Sequence, residues 1–559
     1  GLGPNATTAT IANPTVTGIN NIAVTINPAA AITVAQGNEV ALGTTGLVTA
    51  NLSTGALSTF INATTDVIAF ESGNAFSFLV NDGSFTAAQT AQLALLDAAT
   101  SAGTITLSGI TGGQAIAGSL ESLTKVFSSF NLTGNAGAIE WTGNPVVTIN
   151  DTVNVAKGIT AILSAAEINA IDAKTTGAVV ITNPGGITGT IDDVTTLLAS
   201  GGITDNLLAA DSVVVTDSMT VAQANVIDAT AAPITGTIST GNLTGTNALD
   251  DLGEANNYTI TVTDTVADAA ALNTVNGKTT GLITVNSGSV SGVQAAVLTA
   301  LSTASTEIAG LGAINATVTD NSLTVAQVNA LELKTTGAIT HTGTISDTDM
   351  TTLSTLAGTG NSYNITVANT SASVPAIDAG ALQTLNGKVT APVTVTATNI
   401  TGFLSDVKAI YDANTAGEIT GLGNEVVTLT DAGSVNAADL DAVNRLTTGV
   451  LTANSVQVVT GSVVDLLKVY SSGNAAGVIA GLGNESVIIT DTGTVAAADI
   501  TTLDGFTTGS LTATGVTKLT GSVTEITAAR SSATVTGVTN LALTGSTETF
   551  DATSYLASN

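Results

Sequence analysis

Residues 317–337 read Thr317-Val-Thr-Asp320-Asn-Ser-Leu-Thr324-Val-Ala-Gln327-Val-Asn-Ala-Leu331-Glu-Leu-Lys-Thr335-Thr-Gly337. Thr317-Val-Thr alternates polar and β-branched residues as a strand does, and Asp320-Asn-Ser is turn chemistry. Thr324 with Gln327 three residues on is a capping box that opens a helix. Val328 and Leu331 put an i, i+3 apolar pair on one face of that helix. Gly337 is the residue expected for a left-handed helix stop. The stretch therefore predicts strand, turn, short helix and stop.

The same box recurs at Val215-Thr-Asp217 with Thr220-Val-Ala-Gln223, and Ser164-Ala-Ala-Glu167 is a third helix start of this kind. The apolar pair can be followed as Ile168/Ile171, Ala224/Ile227, Leu272/Val275, Val328/Leu331, Leu382/Leu385, Leu440/Val443 and Ile500/Leu503, in steps of 56, 48, 56, 54, 58 and 60 residues. Thr-Thr-Gly closes the helix at 175–177, 279–281, 335–337, 447–449 and 507–509. A second strand such as Val450-Leu-Thr-Ala follows, then a second helix such as Val463-Val-Asp-Leu-Leu-Lys-Val-Tyr470. Gly421-Leu-Gly-Asn-Glu-Val-Val and Gly481-Leu-Gly-Asn-Glu-Ser-Val repeat each other at 60 residues.

One period is thus two strand–helix coils of roughly 25 to 30 residues, and such a coil cannot bury its apolar face alone. Stacked coils can. The expected fold is an α/β repeat, a solenoid with a parallel sheet on one side and short helices on the other, resembling a leucine-rich repeat in layout but not in motif. About seven two-coil units are expected over residues 141–540, with a C-terminal cap or tail at 541–559. Residues 1–140 are more divergent and hold Phe70, Phe76, Phe78, Phe85, Phe127 and Phe130, with Trp141 just beyond. They read either as a cap or docking region or as degenerate repeats with a thicker core.

Composition agrees with a folded chain. Of 559 residues 44% are hydrophobic, 3% aromatic and 9% charged, which is the reverse of a disordered segment. The formal charge of −31 repels polyanions, so no nucleic-acid partner is expected. No apolar run reaches the roughly 18 residues of a spanning helix, so no membrane insertion is expected. Cys is absent, which removes disulfides, thiolate metal sites and a Cys nucleophile from consideration. The chain starts Gly-Leu-Gly-Pro-Asn without Met or a basic leader, as expected of a processed chain or of a piece of a longer one.

The candidate site residues are a recurring strand-end aspartate, Asp151, Asp217, Asp264, Asp320, Asp431 and Asp491. In stacked coils they would form a column in which calcium bridges neighbours. The competing reading has each carboxylate bonding the backbone of the turn into its helix, and Asn369 in the next copy retains that bond without the charge. No EF-hand loop or glycine-rich calcium nonapeptide occurs, so calcium is possible and no cofactor is required.

Other chemistry is thin, and no enzyme is expected. His341, the single histidine, reads as a satisfied strand side chain. Asp192-Asp193 and Asp250-Asp251 read as solvated helix faces, because adjacent helical residues diverge and catalytic acids must flank one bond. Thr-x-Thr segments, such as Thr261-Val-Thr263 and Thr317-Val-Thr319, would give an ice-binding array only at strict spacing, which the uneven steps are expected to spoil. The sequons at Asn5, Asn51, Asn131, Asn242, Asn315, Asn364 and Asn484 permit glycosylation.

Thr-Val-Thr-Asp, Ala-x-x-Asn-x-Ile-Asp-Ala-Lys and Thr-Thr-Gly, best seen at Ala166–Gly177 and Thr317–Gly337, resemble repeats of very large secreted Thr/Gly/Ala-rich surface proteins of bacteria, notably marine cyanobacteria. The resemblance covers about residues 140–540. It implies an extracellular location and a structural role, and it carries no catalytic residues. The expected function is a subunit of a self-assembling surface layer, sheath or filament, with the chain itself as partner. The alternative is a monomeric adhesin or phage fibre that binds a surface glycan.

Overall fold

The computed structural model describes residues 21–545 apart from 28, 63, 66–67, 71, 101, 131–138, 142, 152–161, 183–184, 206–211, 230–232, 240, 247–255, 369–375, 475–478 and 539–540. Among the described residues there are 18 α-helices, one π-helix and seven sheets, none closed into a barrel. The chain divides into two compact units. One is Gly1–Asp264 with Ala271–Asn286 and Ala304–Ala309; the other is Thr265–Ala270 with Ser287–Thr303 and Gly310–Asn559. Each sheet lies within one unit.

The first unit holds sheets of five, seven and four strands. Leu163 pairs with Ile187, Ile187 with Val213 and Val213 with Ile234, always in parallel. Helices Ala165–Asp172, Ile191–Ala199 and Val221–Asp228 form the intervening crossovers. Parallel neighbours require such a crossover, because a tight turn cannot bring the chain back in the same direction.

The second unit holds sheets of eight, five, five and three strands and follows the same rule. Ile377 pairs with Ile400, then Val427, Leu451 and Ile479. Helices Ala379–Asn386, Leu404–Ala416, Ala437–Leu446 and Val463–Lys468 lie between them.

The segments between helices are more divided than expected. Leu451–Thr452 and Val458–Gly461 separate two helices, and Ile479–Ala480, Ser486–Ile489 and Thr494–Ala496 separate the next two. Each short strand pairs with its own neighbour, as Val459 does with Val487 and Leu451 with Ile479. Turn-forming residues such as Asn454 divide the segment after Thr-Thr-Gly, and past the turn expected at Asp491-Thr-Gly493 a further short strand, Thr494–Ala496, precedes the next helix.

The helices start where expected. Thr220 with Gln223 and Thr324 with Gln327 make complete capping boxes, and Ser164 accepts the Glu167 N–H without the return bond. All fourteen residues of the apolar pairs, from Ile168/Ile171 to Ile500/Leu503, are buried. Full burial of one such aliphatic side chain is worth about 1.5–3 kcal/mol. Ala165, Ala379 and Ala437 begin helices with no exposed surface, and a Cβ on Gly189, Gly402 or Gly461 of the following segment would stand 2.8–3.0 Å from their methyl groups. Helix and next strand are therefore packed at the limit that Gly opposite Ala allows.

The glycines of Thr-Thr-Gly correct the expectation of a left-handed stop, since none of Gly177, Gly281, Gly337, Gly449 and Gly509 is among the positive-φ glycines. A Cβ there would sit 2.0–2.3 Å from the carbonyl oxygens of Pro145, Tyr258, Ile314, Glu425 and Glu485 respectively. The first threonine hydroxyl of each motif donates to that same carbonyl, and the glycine N–H donates back to the hydroxyl. The motif is a clamp between consecutive segments, and glycine is needed for closeness.

The aromatics of the N-terminal part are core. Phe70, Phe76, Phe78, Phe85, Phe127, Phe130 and Trp141 are all buried, and Phe130 stacks on Trp141 at 3.6 Å. Their segments carry the same parallel pairing, Phe76 with Ala50 and Phe78 with Ile105. Among the described residues no helix is long and apolar enough to cross a membrane.

Candidate functional site

The six candidate aspartates share one geometry. Each carboxylate accepts the first helical N–H of a helix that precedes it in the chain: Asp151 from Leu120, Asp217 from Ile191, Asp264 from Leu243, Asp320 from Gln294, Asp431 from Leu404 and Asp491 from Val463. The distances are 2.6–2.9 Å and the sequence separations 21–31 residues. That N–H has no partner within its own helix, and the positive end of the helix dipole favours a carboxylate there. The backbone-bonding expectation placed the donor in the turn that follows each aspartate. The donor lies instead one segment back, so the bond ties two segments together.

Asp82 and Asp347 act identically on Leu57 and Val325, at 2.6 and 2.7 Å, and the sequence reading missed them. The signal was present. Each sits two residues past a buried aliphatic that ends a strand, Val80 or Ile345, as Asp151 does past Ile149 and Asp431 past Leu429. Asn369 falls outside the described residues. Among the described residues no group of three or more His, Cys, Asp or Glu side chains could hold a metal ion. Each of the six carboxylates serves a separate helix terminus.

The other helix ends are tied as well. Lys388 donates through Nζ to the carbonyls of Ser354, at 3.2 Å, and Leu356, just past helix Met350–Leu353. A cation at a helix C-terminus complements the dipole. Asp172 and Asp504, each ending its helix, accept the hydroxyls of Ser200 and Ser532 from the following segment, at 2.8 and 2.7 Å.

Three buried tyrosines meet carboxylates. Tyr411 donates to Glu425 at 2.8 Å, Tyr363 donates to Glu332 at 2.9 Å, and Tyr470 donates to Glu485. Burial, with the adjacent carboxylate, pushes all three phenols well above the ordinary tyrosine range, so they stay protonated donors. Glu425 and Glu485 are 0% and 2% exposed and also take the N–H of Gly423 and Gly483, which explains the repeated Gly-Leu-Gly-Asn-Glu wording. Burial raises Glu332, opposed by its bonds from Tyr363 and Asn361.

The remaining candidates resolve plainly. His341 is buried in strand Ile339–Ile345, with Nδ1 3.4 Å from the Val318 carbonyl and Nε2 3.2 Å from that of Thr344. Asp192 and Asp193 lie in the first turn of helix Ile191–Ala199, where Asp193 accepts the Thr190 hydroxyl. Asp250, Asp251, Asn5 and Asn131 are outside the described residues. The sequon residues Asn242 and Asn315 accept the N–H groups of Gly245 and Ala338.

The threonine rows are better aligned than the spacing suggested. Thr366, Thr394 and Thr420 stand in register, as do Thr401, Thr428 and Thr452. Unevenness shows in the helices, which range from 4 to 13 residues, and in register shifts within strands, between Val214 and Ser218 and between Thr340 and Thr344.

The candidate aspartates and the threonines of Thr-Thr-Gly thus link one segment to another. No family model matches the chain, and no curated protein or solved structure matches it.

Proposed function

We propose that the chain is a solenoid of strand–helix coils whose work is structural, as a subunit of a self-assembling layer, sheath or filament outside the cell. The observation that carries this reading is the recurrence of one interlocking set: aspartate to the previous helix, Thr-Thr-Gly clamp to the previous strand, glycine against alanine. A chain built this way spends its polar residues on holding segments together. Units whose faces are made to stack suit repetition between molecules as well as within one. Low charge density and an aliphatic composition favour side-by-side packing.

Negative-stain electron microscopy of the purified chain, with calcium and then with a chelator, tests the reading. Ordered sheets or filaments support it. Single particles at all concentrations, with or without calcium, contradict it and favour a monomeric adhesin. Assemblies that dissolve on chelation would assign calcium to the aspartate rows, and assemblies indifferent to it would leave those carboxylates to the helix N-termini alone.

A further inference from the structure

The chain contains two Asn–Gly pairs, Asn276-Gly277 and Asn386-Gly387, and both stand at the same place, the last residue of an eight-residue helix followed by its first non-helical residue. The side-chain amide of Asn276 donates to Glu307 at 3.4 Å, and that of Asn386 donates to Glu418 at 3.3 Å. Each glutamate belongs to the following segment, 31 or 32 residues on. The two sites lie in different units and repeat each other.

Asn–Gly is the dipeptide most prone to spontaneous deamidation, because glycine leaves its own nitrogen unhindered. The backbone nitrogen of the glycine attacks the asparagine Cγ, forming an N–Cγ bond and expelling ammonia. Water then opens the five-membered imide at either carbonyl, giving aspartate or, with one more methylene in the main chain, isoaspartate. No reagent other than water is consumed.

We propose that Asn276 and Asn386 are latent deamidation sites, held unreactive by the fold, whose conversion weakens the contact between consecutive segments. Two features hold them back. The attacking nitrogens of Gly277 and Gly387 are engaged as N–H donors to the carbonyls of Asn273 and Gln383, at 3.2 and 3.0 Å. Helical backbone also keeps the following nitrogen turned away from Cγ, since ring closure needs an asparagine ψ far from the helical value near −42°. Once converted, each site replaces an amide donor with a carboxylate facing Glu307 or Glu418. Like charges at such distance repel, and the lost donor is not replaced. Lys388 directs its ammonium to the Ser354 and Leu356 carbonyls.

The test is peptide mass spectrometry of the full-length chain aged in mildly alkaline buffer, folded and in parallel unfolded in urea. Conversion at both positions should be roughly tenfold or more slower in the folded chain, since it must await local opening of a helix end. Asn276→Asp and Asn386→Asp should lower the melting temperature further than Asn276→Ala and Asn386→Ala, which remove the amide without adding charge. Equal rates in folded and unfolded chain would overturn the protection, and aspartate variants no less stable than the alanine ones would overturn the weakening.

Discussion

At the scale of single residues, aspartate does its work at a distance that local reading does not reach. The strand-end pattern exposed six of these residues, because a small acid after a buried aliphatic is turn chemistry in any context. It did not expose the donor, since Leu404 and Val463 precede their aspartates by 27 and 28 residues and nothing in a helix's first residue says which carboxylate covers it. Removing the acceptor should therefore be felt on another segment. Asp491→Ala should raise the exchange rate of the Val463 amide and cost about 1 kcal/mol, as losses of helix N-terminal acceptors do. Asp491→Asn keeps an acceptor oxygen and should leave that amide largely protected. Native-state hydrogen exchange reads both.

Between elements, closeness of backbone to backbone decides which residues are allowed. Gly449 was legible as special but for the wrong reason: a helix end followed by glycine is the usual mark of a left-handed stop, whereas here the Glu425 carbonyl occupies the space a Cβ would need, 2.0 Å away. Gly449→Ala should destabilise the chain by about 4 kcal/mol or more, the range reached only by severe steric or buried-polar defects. Gly433 has nothing within 4 Å of the same imaginary atom and no positive φ. Gly433→Ala should accordingly shift stability by no more than about 0.5 kcal/mol. Urea unfolding of the two variants against the parent measures the contrast. The apolar pairs were readable in full, from Ile168 to Leu503, because a helical period of burial writes itself directly into sequence. The splitting of inter-helix segments into two or three strands was not, since strands of two to four residues are too short for alternation to show.

For the whole molecule, parallel pairing with helical crossovers was foreseeable from the alternation of strand and helix patterns. Phe76, Phe78 and Phe85 of the N-terminal part are buried, as both readings that composition left open, a cap or docking region and degenerate repeats with a thicker core, would have them. Function was the least legible level. A chain that spends its polar groups on its own coherence presents few signals of what it meets, and the surface-layer account rests on repetition and composition.

Immunogold electron microscopy of intact producing cells, with antibody raised against the purified chain, puts that account to its most direct test. The account predicts dense, regularly spaced label over the outside of unpermeabilised cells, removed by protease applied from outside. Label that appears only in thin sections, within the cytoplasm, would contradict it.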